Sequence, residues 1–324
     1  MSRNLKKTTP PKIFNFDGHQ EQRFSTTTRS MAFTYLGLRL AVLGTSEKIF
    51  KAVFHVIIMN VSIVLPIYKA NKEILQRVLT AVKKQKFSGG VEVLPIDKGW
   101  GMAKQMNYGI NKSKYEIVVT LPQDCIPEGE HWLENLVGPL KDSAIVASAS
   151  KVHFPVQLWG RFGIFTRAMT LNEKGTITPL LDEKGDAYRK STLKEVGLFN
   201  ETHFRTAGED FDMYMKIKEK GKIAYPNAVV LHVHPTTFKQ RLRKTYQYAN
   251  GFGALLRMYG FRIPRGYVGL LKALPIAGIL LQFVSYPWRK GLALLPAYLV
   301  TSVISHPYFL HGFWKGFFSG KQTV

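Results

Sequence analysis

Val61-Ser-Ile-Val-Leu65 is a run of β-branched and apolar residues with one serine in it, the pattern of a strand buried on both faces. The next segment is helical. Asn71 is placed to cap a helix in which Ile74, Leu75, Val78, Leu79 and Val82 recur at helical spacing. Val91–Ile96 predicts a second strand, broken by Pro95, and Gly101–Ile110 a loop entering a helix. Tyr115–Leu121 predicts another buried strand. Trp132, Leu133, Leu136 and Val137 form a helical stripe, and Ile145–Ala149 a further strand. This alternation predicts an α/β fold with a mostly parallel sheet flanked by helices. Ligands of such sheets sit beyond the carboxyl ends of the strands, so the residues after Leu65, Ile96 and Leu121 are the ones to interrogate.

Composition divides the 324 residues into three regions. Residues 1–58 read as a basic, partly disordered N-terminal extension, without the apolar segment of a secretory signal. Met59, directly before the first strand, is an expected alternative start of translation. Residues 59–235 read as one α/β domain. Residues 236–324 begin with Lys239, Arg241, Arg243, Lys244, Arg257, Arg262 and Arg265 interleaved with Tyr246, Tyr248, Phe252 and Tyr259. Two apolar stretches come next, 266–287 and 291–313, each approaching the ~20 residues that cross a bilayer. Lys272, Pro275, Pro287 and Pro296 argue against a simple crossing. A helical hairpin lying in the interface fits as well as a spanning one, and a buried hairpin is the alternative.

The net charge of +23 points to a polyanionic partner: an anionic membrane face, phosphate-rich substrates or nucleic acid. The single cysteine, Cys125, excludes an internal disulfide framework and a Cys-rich zinc site, and favours a reducing compartment. Together these place the chain on the cytoplasmic face of a membrane, attached through the C-terminal hairpin.

Three clusters carry candidate chemistry. Asp124 stands in the turn Thr120-Leu-Pro-Gln-Asp124-Cys-Ile-Pro127 after a buried strand. A carboxylate there is placed to meet a divalent cation, although aspartate is also an ordinary turn residue. Glu209, Asp210 and Asp212 open a helix. Acids at a helix start can be plain capping residues, yet an aspartate beside another acid is what a general base requires. His232 and His234, two apart on one strand, face the same side and are open to a metal, phosphate or structural role.

In this order the clusters resemble a family 2 glycosyltransferase of the GT-A fold, over roughly 61–235. Val61-Ser-Ile-Val-Leu-Pro-Ile-Tyr68 is similar to the family's first strand and nucleotide turn, and Gly101-Met-Ala-Lys-Gln-Met-Asn-Tyr-Gly109 to its Gly-x-Ala-x-x-x-Asn-x-Gly segment. Leu121-Pro-Gln-Asp124 resembles the Asp-x-Asp strand end, Glu209-Asp210 the pair supplying the base, and His232-Val-His234 the closing histidine. The resemblance implies inverting transfer of a sugar from a nucleotide diphosphate to a lipid-linked or polysaccharide acceptor at a membrane surface, with no nucleic acid as partner. Asp210 would be the base and Glu209 would position the acceptor. Asp124, with His232 and His234, would hold Mg2+ or Mn2+. Pro66, Tyr68, Asn71, Asp97, Lys104, Asn107 and Gln123 would bind the nucleotide sugar. Pro122 replaces the usual first acid of Asp-x-Asp, and the customary Asp-Asp-Gly-Ser turn has no clear counterpart. These departures motivate two other readings: an impaired relative that binds without turnover and, from the charge, a nucleic-acid-binding protein.

Overall fold

Every residue of β1 (Val61–Pro66) is buried, as a continuous apolar run requires when both faces of a strand are covered. The computed structural model describes residues 59–179 and 181–323, which belong to one compact unit; the N-terminal extension expected over residues 1–58 lies outside the described residues. After β1 come α1 (Lys72–Lys83), β2 (Val91–Ile96), α2 (Met102–Lys112), β3 (Ile117–Thr120), β4 (Cys125–Pro127), α3 (Trp132–Val137) and β5 (Ile145–Ala149). β6 (Lys151–His153), α4 (Val156–Gly160), α5 (Ile164–Met169), β7 (Ile177–Pro179), β8 (Asp186–Arg189) and α6 (Lys190–Glu195) follow. The chain continues through α7 (Glu209–Ile217), β9 (Lys222–Ala224), β10 (Val229–His232), α8 (Phe238–Tyr259), α9 (Gly266–Lys272), α10 (Pro275–Val284) and α11 (Leu295–Ser319).

The larger sheet has the order β2-β1-β3-β8-β5-β9. β1 is parallel to β2 and β3, and β5 to β9, but β8 lies antiparallel between β3 and β5. Five of its six strands thus run the same way, the mostly parallel sheet that the alternation predicted, and β8 is the one antiparallel strand. Asp186–Arg189 was too short and too polar to announce itself as a strand. β2 runs straight through Pro95 because it is the edge strand, where a missing N–H breaks no ladder.

Alternation along β1 divides the core. Val61, Ile63 and Leu65 face a cluster with Val78 of α1 and Trp132, Leu133 and Leu136 of α3. Val64 faces Met106 and Ile110 of α2, Leu193 of α6 and Met213 of α7. The helices thus cover both faces, as the pattern required.

A second, four-stranded sheet, β4-β10-β6-β7, positions the site. β10 runs antiparallel to β4 with His232 opposite Cys125, and the Val233 N–H donates to Asp124 O at 2.8 Å. The last residues of β10 are therefore laid alongside the Asp124 turn.

C-terminal to β10, α8 opens with a capping box formed by Thr237 and Gln240. α8 and α11 pack backbone to backbone. A Cβ on Gly253 would lie 2.1 Å from Phe313 O, one on Gly312 2.3 Å from Tyr246 O, and one on Gly316 1.9 Å from Asn250 O. His306 on α11 is buried and ties α10 in place, its Nε2 2.9 Å from Pro275 O and its Nδ1 2.9 Å from Gln282 Nε2. Among the described residues no single helix is long and apolar enough to cross a membrane. α9 and α10 together reach that length and composition but bend by 113° at the break between them.

Candidate active site

Asp124 is the centre of the site. Its Oδ2 lies 2.9 Å from His234 Nδ1 and 3.5 Å from His232 Nε2. The imidazoles stack at 5.8 Å and 24°, His232 as the last residue of β10 and His234 in the segment just past it. Burial opposes ionisation of Asp124, but hydrogen bonds from His232 and His234 outweigh it and hold the carboxyl well below the usual range. Burial also pushes His232 below its ordinary value, against the pull of Asp124, which favours the neutral, metal-ligating imidazole. One ligand atom from each of the three residues lies within 4.8 Å of the others. One carboxylate oxygen and two imidazole nitrogens within this reach form a donor set that fits a divalent transition-metal ion such as Mn2+ better than Mg2+, which takes oxygen ligands. The histidines thus offer ligands where Pro122 stands in place of an acid.

Lys244 of α8 reaches this centre from the other side, its Nζ 2.8 Å from His234 Nε2. With the Nδ1 proton directed at Asp124, Nε2 is the acceptor and the ammonium donates. Burial lowers the Lys244 pKa to about 8, with Arg241 adding to the effect. Lys244 and Tyr248 line all three cavities around the centre. Neither stood out in a stretch of many basic and aromatic residues; only the fold shows which of them turn inward.

Glu209 and Asp210 open α7, whose cap Gly208 adopts φ 100°, a left-handed conformation open to glycine. A Cβ there would also lie 2.8 Å from the Phe204 ring. Burial raises the Asp210 pKa, with Lys184 pulling it down and Asp182 pushing it up. Glu209 is raised to about 8 by burial and then by the neighbouring charge of Asp210. At neutral pH the pair therefore divides its roles: Glu209 keeps a proton and Asp210 is the one to ionise. Asp212, by contrast, is structural. It accepts the Tyr259 hydroxyl at 2.6 Å and pairs with Lys216 at 2.7 Å, joining α7 to α8.

Asp182, Glu183 and Lys184, in the loop before β8, also face Asp210. Lys184 Nζ pairs with Asp182 at 2.7 Å. Glu183 is buried at φ 70°, and neither its Oε1 nor Glu209 Oε2 has a hydrogen-bond partner within the protein. Such buried oxygens suit the hydroxyl groups of a bound ligand. Sequence reasoning missed this loop, because its residues precede an antiparallel strand that was not foreseen.

Asp124, Glu209, Asp210 and His232 line one cavity of about 570 Å³, with an apolar end formed by Phe252, Leu255 and Phe309. An adjoining cavity of about 550 Å³ is lined by Pro66, Tyr68, Gln123, Asp124 and His234, together with Trp100. The two share Met102, Pro122, Asp124, Thr206, Lys244 and Tyr248. Gln123 and Tyr68 clasp each other, side-chain oxygen to N–H and side-chain amide to carbonyl, both at 2.8 Å.

The other candidate residues lie away from both cavities. Asn71 Oδ1 caps α1, accepting the Ile74 N–H at 3.2 Å. Asn107 clasps the Phe199 backbone, its Nδ2 2.8 Å from the carbonyl and its Oδ1 2.9 Å from the N–H. Both amide side chains are committed to holding the fold. Asp97 is exposed after β2, and Lys104 sits over the Trp100 ring at 4.9 Å without lining either cavity itself.

Residues 83–197 match the model of glycosyl transferase family 2. The chain thus carries a glycosyltransferase segment, which marks it as an enzyme of that class. The matched stretch includes Asp124 and the Asp182–Lys184 loop, whereas Glu209, Asp210 and the two histidines lie C-terminal to it. No curated protein matches. Among solved structures, this glycosyltransferase chain is similar to "Mannosyltransferase PcManGT from Pyrobaculum calidifontis in complex with GDP-Man and Mn2+", at 14% identity and a TM-score of 0.47, covering 76% of this chain and 86% of that one. It is also similar to "GalNAc-T7 with UDP, GalNAc and Mn2+", at 16% identity and a TM-score of 0.41, covering 60% of this chain and 50% of that one.

Proposed function

We propose that this glycosyltransferase transfers a sugar, with inversion, from a nucleotide diphosphate sugar to a lipid-linked or glycan acceptor at a membrane surface. The observation that carries the reading is the junction of two cavities at Asp124: the Asp124-His232-His234 cluster borders both, and Glu209 and Asp210 line only the first. The donor would occupy the cavity of Pro66, Tyr68 and Gln123, its diphosphate directed at Asp124. Mg2+ or Mn2+, held by Asp124, His232 and His234, would supply positive charge against the departing diphosphate. Lys244 adds a fixed cation at the same point.

On the acceptor side Asp210 takes the proton of the attacking hydroxyl. The new bond forms from that oxygen to the anomeric carbon as the bond to the diphosphate breaks, and the diphosphate leaves with the electron pair. The protonated Glu209 and the Asp182–Lys184 loop orient the acceptor. The raised Asp210 pKa makes it a stronger base than an exposed aspartate.

Attachment to the cytoplasmic leaflet is supported by an apolar surface on the C-terminal helices. Ile276 and Val284 on α10 are 77% and 73% exposed, and Tyr267, Leu271 and Trp288 are exposed beside them in sequence. Arg262, Arg265, Lys272, Arg289 and Lys290 flank these residues, a combination that suits an interfacial helix on anionic lipid.

A thermal-shift screen against nucleotide diphosphate sugars, with and without Mn2+, tests the donor side. A Mn2+-dependent rise with one donor is expected. No rise with any donor would remove the donor assignment, whereas a rise without transfer of labelled sugar would favour the impaired relative that binds without turnover.

A further inference from the structure

Residues 203–208 form an irregular loop that carries much of the site. Arg205 and Thr206 line the donor cavity, and Thr206, Ala207 and Gly208 the cavity that contains Asp210. The loop has no ladder of its own. It is held by a segment more than a hundred residues further along the chain.

Gln322 is buried, with 8% of its surface exposed, and every polar atom of its side chain is engaged. Its Oε1 accepts the N–H groups of both Arg205 and Thr206 at 2.8 Å. Its own N–H donates to His203 O at 2.7 Å, and its Nε2 reaches Gln247 O of α8 at 3.5 Å. The next residue extends the contact: Thr323 N–H donates to Asn250 Oδ1 at 2.8 Å, while the fully buried Asn250 holds Gly312 O of α11 at 3.1 Å.

We propose that Gln322 is a positioning residue for sugar transfer, a strap that fixes the loop carrying the donor wall into the base-bearing helix α7. Two successive N–H groups converging on one oxygen form a concave backbone arc. That arc is held only while an acceptor stays at its focus. Water can satisfy both donors but cannot fix the curve, so loss of the amide oxygen loosens the loop without unfolding the domain. Thr206 is four residues from Asp210, and a small misplacement at a reacting centre can lower the rate about a hundredfold. The inference rests on Asp210 being the base, as proposed above.

The test compares wild type, Gln322→Ala and Gln322→Glu as full-length protein. Glutamate keeps oxygens that can accept both N–H groups; alanine keeps none. Hydrogen–deuterium exchange is expected to rise about tenfold or more over 203–212 in Gln322→Ala, to stay near wild type in Gln322→Glu, and to be unchanged in all three over β1 and β3. With the donor chosen by the thermal-shift screen, kcat is expected to fall about tenfold or more in Gln322→Ala, with recovery to within about threefold in Gln322→Glu. Unaltered exchange over 203–212 overturns the proposal, and so does faster exchange with unaltered kcat. If Asp210→Asn leaves transfer intact, the base assignment fails instead, and the exchange result remains to report on the strap alone.

Discussion

His234 Nδ1 and His232 Nε2 converge on one oxygen of Asp124, at 2.9 and 3.5 Å. The three side chains reach this point by different routes: Asp124 from the turn after β3, His232 from the end of β10, which β4 holds antiparallel against that turn, and His234 from the segment just past β10. A cation at their focus would replace contacts among the three groups with contacts to itself.

Removal of one ligand is therefore expected to be felt as lost metal affinity. Asp124→Ala should abolish the Mn2+-dependent part of the donor's thermal shift, and His234→Ala should weaken Mn2+ binding by about tenfold or more. The thermal-shift assay reads the first and isothermal titration with Mn2+ gives the affinity of both variants. Unchanged affinity in the two variants would remove the cluster from the reading.

Asp210→Asn keeps the shape of the base and takes away its proton affinity. Transfer of labelled sugar is expected to fall by about 10²–10⁴-fold with nucleotide binding retained. Because burial raises the Asp210 pKa, the ascending limb of kcat against pH should lie above the ordinary aspartate range. Equal transfer by the variant in membrane fractions would show that another group is the base.

Glu209 links pH to stability. Its folded pKa of about 8 lies above the ordinary 4.5, so the folded chain keeps a proton that the unfolded chain gives up. The stability it contributes is complete below about pH 4.5 and drains away as pH climbs to about 8. Glu209→Gln removes this dependence. Its melting temperature should gain on wild type between about pH 5 and about pH 9, read by calorimetry. A constant difference would mean that Glu209 is not held protonated.

The contact between α8 and α11 makes a sharp stability prediction. Gly253→Ala would set a methyl group 2.1 Å from Phe313 O and should cost about 1–3 kcal/mol. Gly138→Ala meets nothing within 4 Å and should be near neutral in the same thermal melts.

The apolar face of α10 can be tested without knowledge of any substrate. Ile276→Glu combined with Val284→Glu changes exposed positions, so the melting temperature should hold. Sedimentation with vesicles containing anionic lipid should be lost, and wild-type sedimentation should weaken with added salt. Co-sedimentation of the variant at the wild-type level would move the membrane contact elsewhere.

Much of the α/β core was legible because its signals were local. β1 and β3 are buried on both faces and read as apolar runs; α1 carries its stripe and its Asn71 cap in twelve residues. The Asp124 turn and the Glu209-Asp210 helix start could be picked out for the same reason. The features that stayed hidden depended on long-range geometry. β8 became a strand by pairing with β3 and β5, and its polar sequence gives little sign of it. That one antiparallel insertion brings Asp182–Lys184 to the site. Lys244 could not be told from its basic neighbours until α8 was placed, and Asn107 had the look of a ligand residue while serving as a clasp to Phe199.

The close approach of α8 and α11 also limits how a long substrate could travel. With Gly253, Gly312 and Gly316 bringing two backbones to contact, no channel wide enough for a hydrocarbon chain runs between those helices along that seam. An apolar group bound at Asp210 would therefore rest against Phe252, Leu255 and Phe309 rather than pass between α8 and α11.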